Sequence, residues 1–329
     1  MPSADGGLRV HRMMVASVCR MPGSVVEQLL GLREGICSFN ASRGLRTALL
    51  YSKGWFVQWH EGSEAAIDKV WAVSQSHPGH AHQRLIHRSV GMPTLVKRLH
   101  IASLHNRDKP SDVARRLYSV ERERELGWNA EPAEIWQALS APCLVQANDV
   151  MAAVARGHVV AITSEYTESV DLIKAIAERT RAPVSYQRFA DGEVRNGDIG
   201  AAYVDVANGQ MTRLQALSRR ALDDSMVRLS LERMQCLVLL LGNRPRAAAK
   251  LVETVADFLQ QVPGAPAIRL IGPCRGTCDE VTEALAARRG LDVATMHVGA
   301  AGRTRVDAVL DLIADTGDTV PAALDLLLS

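Results

Sequence analysis

Apolar side chains recur along this chain with two periods, every second residue or every third to fourth, and the periods predict its elements. In the first third, His11–Cys19 (HRMMVASVC), Thr47–Tyr51 (TALLY), Trp55–Gly62 (WFVQWHEG), Gln83–Ser89 and Lys97–Ser103 read as strands, the last as an edge strand. Gly23–Cys37 and Glu64–Ser76 have helical spacing. Val25, Val26, Leu29, Leu30 and Leu32 form the inward stripe of the first helix, with Ser24 as its candidate cap. Ser52-Lys53-Gly54 punctuates a hairpin between the second and third strands. Residues 1–9 read as a disordered lead-in, and the order βαββαβ-β over 10–105 is an α+β layout.

The pattern changes twice more. Residues 106–142 form a helical connector dense in paired Arg and Glu, with Leu117, Val120 and Leu126 on one stripe and Ile135, Trp136 and Leu139 continuing it. Such a connector is either a spacer or a segment that packs back on the sheet or onto a second copy. Over 143–329, buried-type strands (His158–Ser164, Cys236–Gly242, Ala267–Pro273, Asp292–Gly299) alternate with amphipathic helices (Ser169–Thr180, Arg246–Gln260, Cys278–Arg289, Arg305–Ala314). Two further strands, Val184–Phe189 and Ile199–Val206, lie between. That alternation predicts a doubly wound α/β sheet covered on both faces.

Composition narrows the function classes. The 329 residues, 47% hydrophobic and 22% charged, suit two globular domains. A formal charge of +2 gives no general pull toward nucleic acid, so nucleic acid is not an expected partner. No apolar run is long enough to span a bilayer and no signal-peptide core opens the chain, so a cytoplasmic location with no membrane partner is expected. Six cysteines, scattered except for Cys274 and Cys278, fit reduced thiols. His77, His80, His82 and His87 lack carboxylates or thiolates at ligand spacing, so no metal is expected.

The third strand carries the first candidate chemistry. Alternation places Trp55, Val57 and Trp59 on one face and Phe56, Gln58 and His60 on the other. An amide beside Phe56 on a packed face needs partners. The run from Asn40 through ALLYSKGWFVQWHEG, ending in a helix start at Ser63, resembles the centre of a blue-light-sensing flavin (BLUF) domain, over about residues 10–103. The resemblance implies a ferredoxin-like fold. It also implies a flavin, FAD, held between two helices against the sheet. Gln58 matches the Gln that rearranges its hydrogen bonds to the ring, Asn40 matches the Asn that holds it, and Arg46 stands near the ring site, where it meets a phosphate or carboxylate or else faces solvent. The family's strand-one Tyr is replaced by Val15, which has no phenol to oxidise, so the family's photochemistry cannot run in its usual form. The family's late Trp and Met align near Leu99 and Ile101.

The order of elements in the second half resembles a Ras-like small GTPase. Tyr203–Gln210 (YVDVANGQ) lies at the family's switch motif, and the face around Gln210–Leu222, read as a helix, offers Arg213, Arg219 and Arg220 to an acidic partner. A phosphate loop needs G-x-x-x-x-G-K-[ST]. Thr163 to Ser169 (TSEYTES) holds neither Gly nor Lys and places two acids there, so the resemblance implies a pseudo-GTPase. Cys274 and Cys278 flank a strand-to-helix turn beside Arg275, where a thiol pKa falls, which makes them a candidate redox pair against the alternative of small turn-filling residues.

The expectation from sequence is a non-enzymatic regulatory or scaffold protein without a cofactor, acting through protein partners and with homo-oligomerisation through the first domain or the connector. A flavin (FAD)-binding light or redox sensor is the alternative, and a divergent GTPase the second alternative.

Overall fold

The computed structural model describes residues 9–143, 157–193, 198–208, 210–231, 234–242, 244–260, 266–272, 278–283, 285, 293–297 and 304–317. The chain divides into two compact units, residues 1–154 with 187–199, and residues 155–186 with 200–329.

The first unit contains β1 (Val10–Cys19), α1 (Val25–Ala41), β2 (Arg46–Ser52), β3 (Trp55–Gly62), α2 (Glu64–Ser76), β4 (His80–Gly91), β5 (Leu99–His105), α3 (Pro110–Glu125) and α4 (Pro132–Ser140). Its strands run in the order β5-β2-β3-β1-β4. β3 is antiparallel to β1 and β2, β4 is antiparallel to β1, and β5 runs parallel to β2. This is the ferredoxin-like α+β layout with one strand added. β7 (Val184–Asp191), whose residues from Gln187 onward count with this unit, lies beside β5, so β5 is not an edge strand. Lys53 and Gly54 both adopt positive φ (46° and 82°). That is the twist a two-residue hairpin requires, and it sets the register of β2 on β3.

Three local readings change. α1 runs on to Ala41 rather than ending at Cys37, which brings Asn40 into its last turn; Ser24 occupies the N-cap position without a side-chain bond to the helix. Leu32 is exposed rather than buried. β4 starts at His80, so His80 and His82 lie on a strand and not in a loop.

Both faces of this sheet are covered. α1 packs Val25 and Leu29 on Leu49, Phe56, Leu99 and Ile101, while α2 packs Ala66, Ile67 and Val70 on Met13 and Val15. On the reverse face Trp59 meets Trp136 of α4, ring centroids 6.2 Å apart. Val113, Leu117 and Val120 of α3 and Ile135 and Leu139 of α4 are buried, whereas Leu126 is exposed and drops out of the stripe. Arg12 of β1 pairs with Glu131 at 2.5 Å, and Arg84 of β4 pairs with Glu121 of α3. The connector helices therefore take the packing alternative and lie on the sheet.

The second unit holds β6 (Gly157–Thr163), α5 (Tyr166–Thr180), β8 (Ile199–Asn208), β9 (Gln210–Ser218), a 3-10 turn (Arg219–Asp223), α6 (Ser225–Leu231), β10 (Cys236–Leu240), α7 (Pro245–Leu259), β11 (Ala267–Gly272), β12 (Val293–His297) and α8 (Arg305–Gly317). Its strand order is β12-β11-β10-β6-β9-β8. β8 pairs antiparallel with β9, and the other described pairings are parallel. Residues 159–162 and 236–240 are buried throughout, as central parallel strands must be. α5 and α8 cover one face through Leu172, Ile173, Ile176, Val309 and Ile313. Gln210–Leu222 is thus a strand followed by a 3-10 turn, which corrects the helical reading of that stretch. Among the described residues no helix is long and apolar enough to cross a membrane.

Truncating the indole that seals the reverse face tests this packing. Trp136→Ala is expected to cost the first unit about 3–5 kcal/mol, read from denaturant unfolding. A change within experimental error would mean that α4 is not part of the folded unit.

Candidate functional site

Strand alternation places Phe56, Gln58 and His60 of β3 on the helix side, level with Tyr51, Leu49 and Thr47 of β2 and with Ser17, Val15 and Met13 of β1. Above this row, between α1 and α2, lies a cavity of about 370 Å³. Leu29, Leu32, Ile36 and Phe39 of α1 and Val70 and Val73 of α2 form its walls; Asn40, Thr47, Phe56, Gln58, His60 and His80 form its base. No Asp, Glu, Lys or Arg is among the described residues lining it.

The base is one hydrogen-bonded row. Thr47 Oγ1 lies 3.0 Å from His60 Nδ1, and His60 Nε2 lies 3.2 Å from Gln58 Oε1. Gln58 Nε2 stands 3.5 Å from His80 Nε2, the long link, and His80 Nδ1 lies 2.9 Å from Ser17 Oγ. The His80 ring also rests on Phe56, centroids 5.2 Å apart. Burial, reinforced by His80, pushes the His60 pKa down to about 4. Burial, reinforced by His77, does the same to His80, again to about 4. Both imidazoles are neutral near pH 7, so each carries one N–H donor and one bare acceptor nitrogen. The base presents neutral polar groups in an apolar slot, which suits an uncharged planar ring.

Asn40 is buried at the end of α1 and donates through Nδ2 to Arg98 O at 2.7 Å. The segment presenting that carbonyl is held by Glu61, whose buried carboxylate accepts from Thr94 N and Leu95 N, each at 2.9 Å. Burial raises the Glu61 pKa, and those two backbone donors oppose the rise. Arg46 donates to Leu95 O of the same segment at 2.9 Å and is not among the residues lining the cavity. Val15 sits opposite Gln58 and packs with Ala66, Ile67 and Val70, leaving no hydroxyl at that point. The sequence therefore pointed to Asn40 and Gln58, which share this cavity. It missed Thr47 and His80 as members of the site, and His60 was placed on the right face without a role.

The second unit contradicts one expectation. Arg213 is buried and donates through Nε and Nη2 to Asp205 at 2.7 and 2.8 Å, with its guanidinium 3.7 Å from the Tyr203 ring centroid. It offers no charge to a partner. Arg219 is half-buried and reaches Thr254 Oγ1 of α7 at 3.2 Å; Arg220 is exposed. At the phosphate-loop position β6 passes to α5 through Ser164 and Glu165 alone, because the helix begins at Tyr166 and not at Ser169. Two residues cannot wrap a phosphate, which needs a run of free backbone N–H groups. Cys278 is buried at the start of the helical residues 278–283, while Cys274 lies outside the described residues. Among the described residues no group of three or more His, Cys, Asp or Glu is placed to hold a metal ion.

No family model and no curated protein matches the sequence. Several solved structures are similar to it. The photo-activated state of BlsA is 15% identical, covering 35% of this chain and 81% of its own, with a TM-score of 0.26. BlrB, a BLUF protein in its dark state, is 20% identical over 36% of this chain and 86% of its own, TM-score 0.26. Klebsiella pneumoniae BlrP1 with FMN and cyclic diGMP is 16% identical over 87% of this chain and 76% of its own, TM-score 0.27. At such identities and TM-scores these likenesses carry no functional weight.

Two outcomes follow from the geometry. His60 binds a proton less readily folded than unfolded, so the unfolded chain gains protons between pH 6.5 and about 4 and stability falls as pH drops through that window. That residue's share is on the order of 3 kcal/mol at the acid end. His60→Gln should lessen the pH dependence of the urea midpoint between pH 7 and pH 4.5 by one histidine's share, since His80, His87 and His100 are depressed to about 4 as well, and an unchanged slope would refute the assignment. In the second unit Arg213→Met should cost about 3–5 kcal/mol by stranding a buried carboxylate, whereas adding Asp205→Leu should recover most of it. A stability-neutral Arg213→Met would put that side chain back on the surface.

Proposed function

We propose that the first unit is a sensor that takes an uncharged planar ring of the flavin isoalloxazine class, and that the second unit is a non-enzymatic module acting through protein contacts. One observation carries the first part: the space between α1 and α2 above Gln58 is open rather than filled by side chains. Its volume of about 370 Å³ falls at the small end of the range of ligand sites, roughly 300–1,000 Å³. The residues present fit the ring. The polar base offers neutral donors and acceptors, the walls are aliphatic and aromatic, and recognition rests on the ring because the described lining holds no cation for phosphates. A flavin, when bound, supplies blue absorption and redox chemistry. This chain's residues orient it, and Val15 denies it an adjacent phenol, so occupancy or redox state rather than electron donation from β1 is the signal. The α+β sheet order and the motif from Tyr51 to Gly62 support the same reading.

For the second unit, the strand order with β8 antiparallel supports descent from the Ras-like layout, and the two-residue turn after β6 supports the loss of phosphate binding. What that leaves is a surface for a protein partner.

Riboflavin titrated into the purified full chain is expected to lose fluorescence saturably. Gln58→Leu, which removes the amide at the base, should weaken binding by about tenfold, the worth of one net hydrogen bond. Absence of saturable quenching, with the chain folded by circular dichroism, would rule the ring-binding reading out.

A further inference from the structure

The row beneath the cavity has a property that no single member of it has. Gln58 carries a donor at one end of its amide and an acceptor at the other, and each end meets the Nε2 of a different histidine. Each histidine turns its Nδ1 to a hydroxyl, which either donates or accepts: Thr47 for His60 and Ser17 for His80. Since each neutral imidazole has one proton, only two arrangements satisfy every link. In the first, Thr47 donates to His60 Nδ1, His60 Nε2–H donates to Gln58 Oε1, Gln58 Nε2–H donates to His80 Nε2, and His80 Nδ1–H donates to Ser17. Turning the amide over reverses every donor and acceptor in the row. In both arrangements the two histidines hold opposite tautomers.

We propose that His60 and His80 are positioning residues that lock the Gln58 amide into one of two orientations, so that the cavity reads the order of donor and acceptor along the edge of an uncharged ring. Burial enforces the lock. Gln58 and His60 are 6% and 3% exposed, so a mismatched link leaves an unpaired polar group away from water. The pair stays neutral near pH 7 because desolvation depresses both imidazoles. A ring in the cavity meets the second N–H of the amide and the second lone pair of its oxygen. Where those two fall, toward His80 or toward His60, depends on which tautomer pair is present. The state of the base is in turn carried to hydroxyls on two other strands, Ser17 of β1 and Thr47 of β2. The ring-reading part rests on the function proposed above; the coupling of the two tautomers does not.

Nitrogen-15 NMR of the full chain, labelled at histidine and recorded at pH 7 without ligand, tests the coupling. The expected spectrum shows one of the two imidazoles protonated at Nε2 and the other at Nδ1. Gln58→Glu replaces the amide by a carboxylate that accepts at both ends, so both His60 and His80 should then carry a proton on Nε2. A merely structural role would leave the ring protons where they were. Identical tautomers in the parent chain, or an Nε2 pattern unmoved by Gln58→Glu, would overturn the coupling. A riboflavin titration followed in the same spectra separates the two claims. No binding removes the ring-reading clause and leaves the coupling standing, and binding that leaves the Nε2 shifts of both histidines at their free values removes that clause on its own.

Discussion

A side-chain amide buried among aliphatic groups must find partners at both of its ends, and the first unit is arranged around meeting that demand for Gln58. An unpaired buried amide costs more than a made hydrogen bond returns. The solution draws one polar group from each of β1 and β2, one from β4 and a second from β3 itself, all facing the same slot. Those groups are the exceptions in a surface otherwise built of Leu49, Phe56, Val15 and Met13. Neutrality is part of the solution. A charged histidine in this slot would need a counter-charge, and the lining supplies none.

The same strand settles the opposite side of the sheet. Trp59 follows Gln58 in sequence and therefore points the other way, into the indole of Trp136. One strand thus needs a cover on each face, which is why a charged connector with only a few apolar positions folds down on the unit. The rim is held by a second buried polar group. Glu61 gathers two backbone N–H groups of the segment before β5, and that segment delivers the carbonyl of Arg98 to Asn40. Asn40 and Glu61 hold one segment from its two ends.

Much of this was legible from period alone, and the failures have physical causes. Alternation alone puts Gln58 on the packed face, whereas Asn40 is singled out only by the motif resemblance. Sequence alone starts the fourth strand at Gln83, because Pro78-Gly79 ends α2 and three histidines within six residues give no apolar alternation; the strand nevertheless starts at His80, paired with Cys19. Arg213 was read as a helix-face cation since MTRLQALSRR spaces its basic residues like a helix. Its real neighbour lies across a hairpin at Asn208–Gln210, where the register sets Asp205 opposite Arg213. Both residues interrupt apolar alternation, and the pairing becomes visible only once the N-G turn between them is taken as a hairpin signal. The connector's docking could not be read from sequence, because its covered stripe is a few apolar residues on a strongly charged α3 and a short α4. Nothing local says whether such a stripe meets solvent, a second copy or the chain's own sheet.

The short passage from β6 into α5 has a consequence for what this scaffold can become. An exchange of side chains alters charge and shape, but it cannot lengthen a connection, and here only two residues separate the end of the strand from the start of the helix. Putting a lysine at Glu165 would add one positive charge with no encircling amides behind it. A phosphate-wrapping loop at this point would take inserted residues together with a re-seated first turn of helix, with Ser169 already buried in that turn. In this half of the chain the constraint is one of backbone length, which point substitution alone does not change.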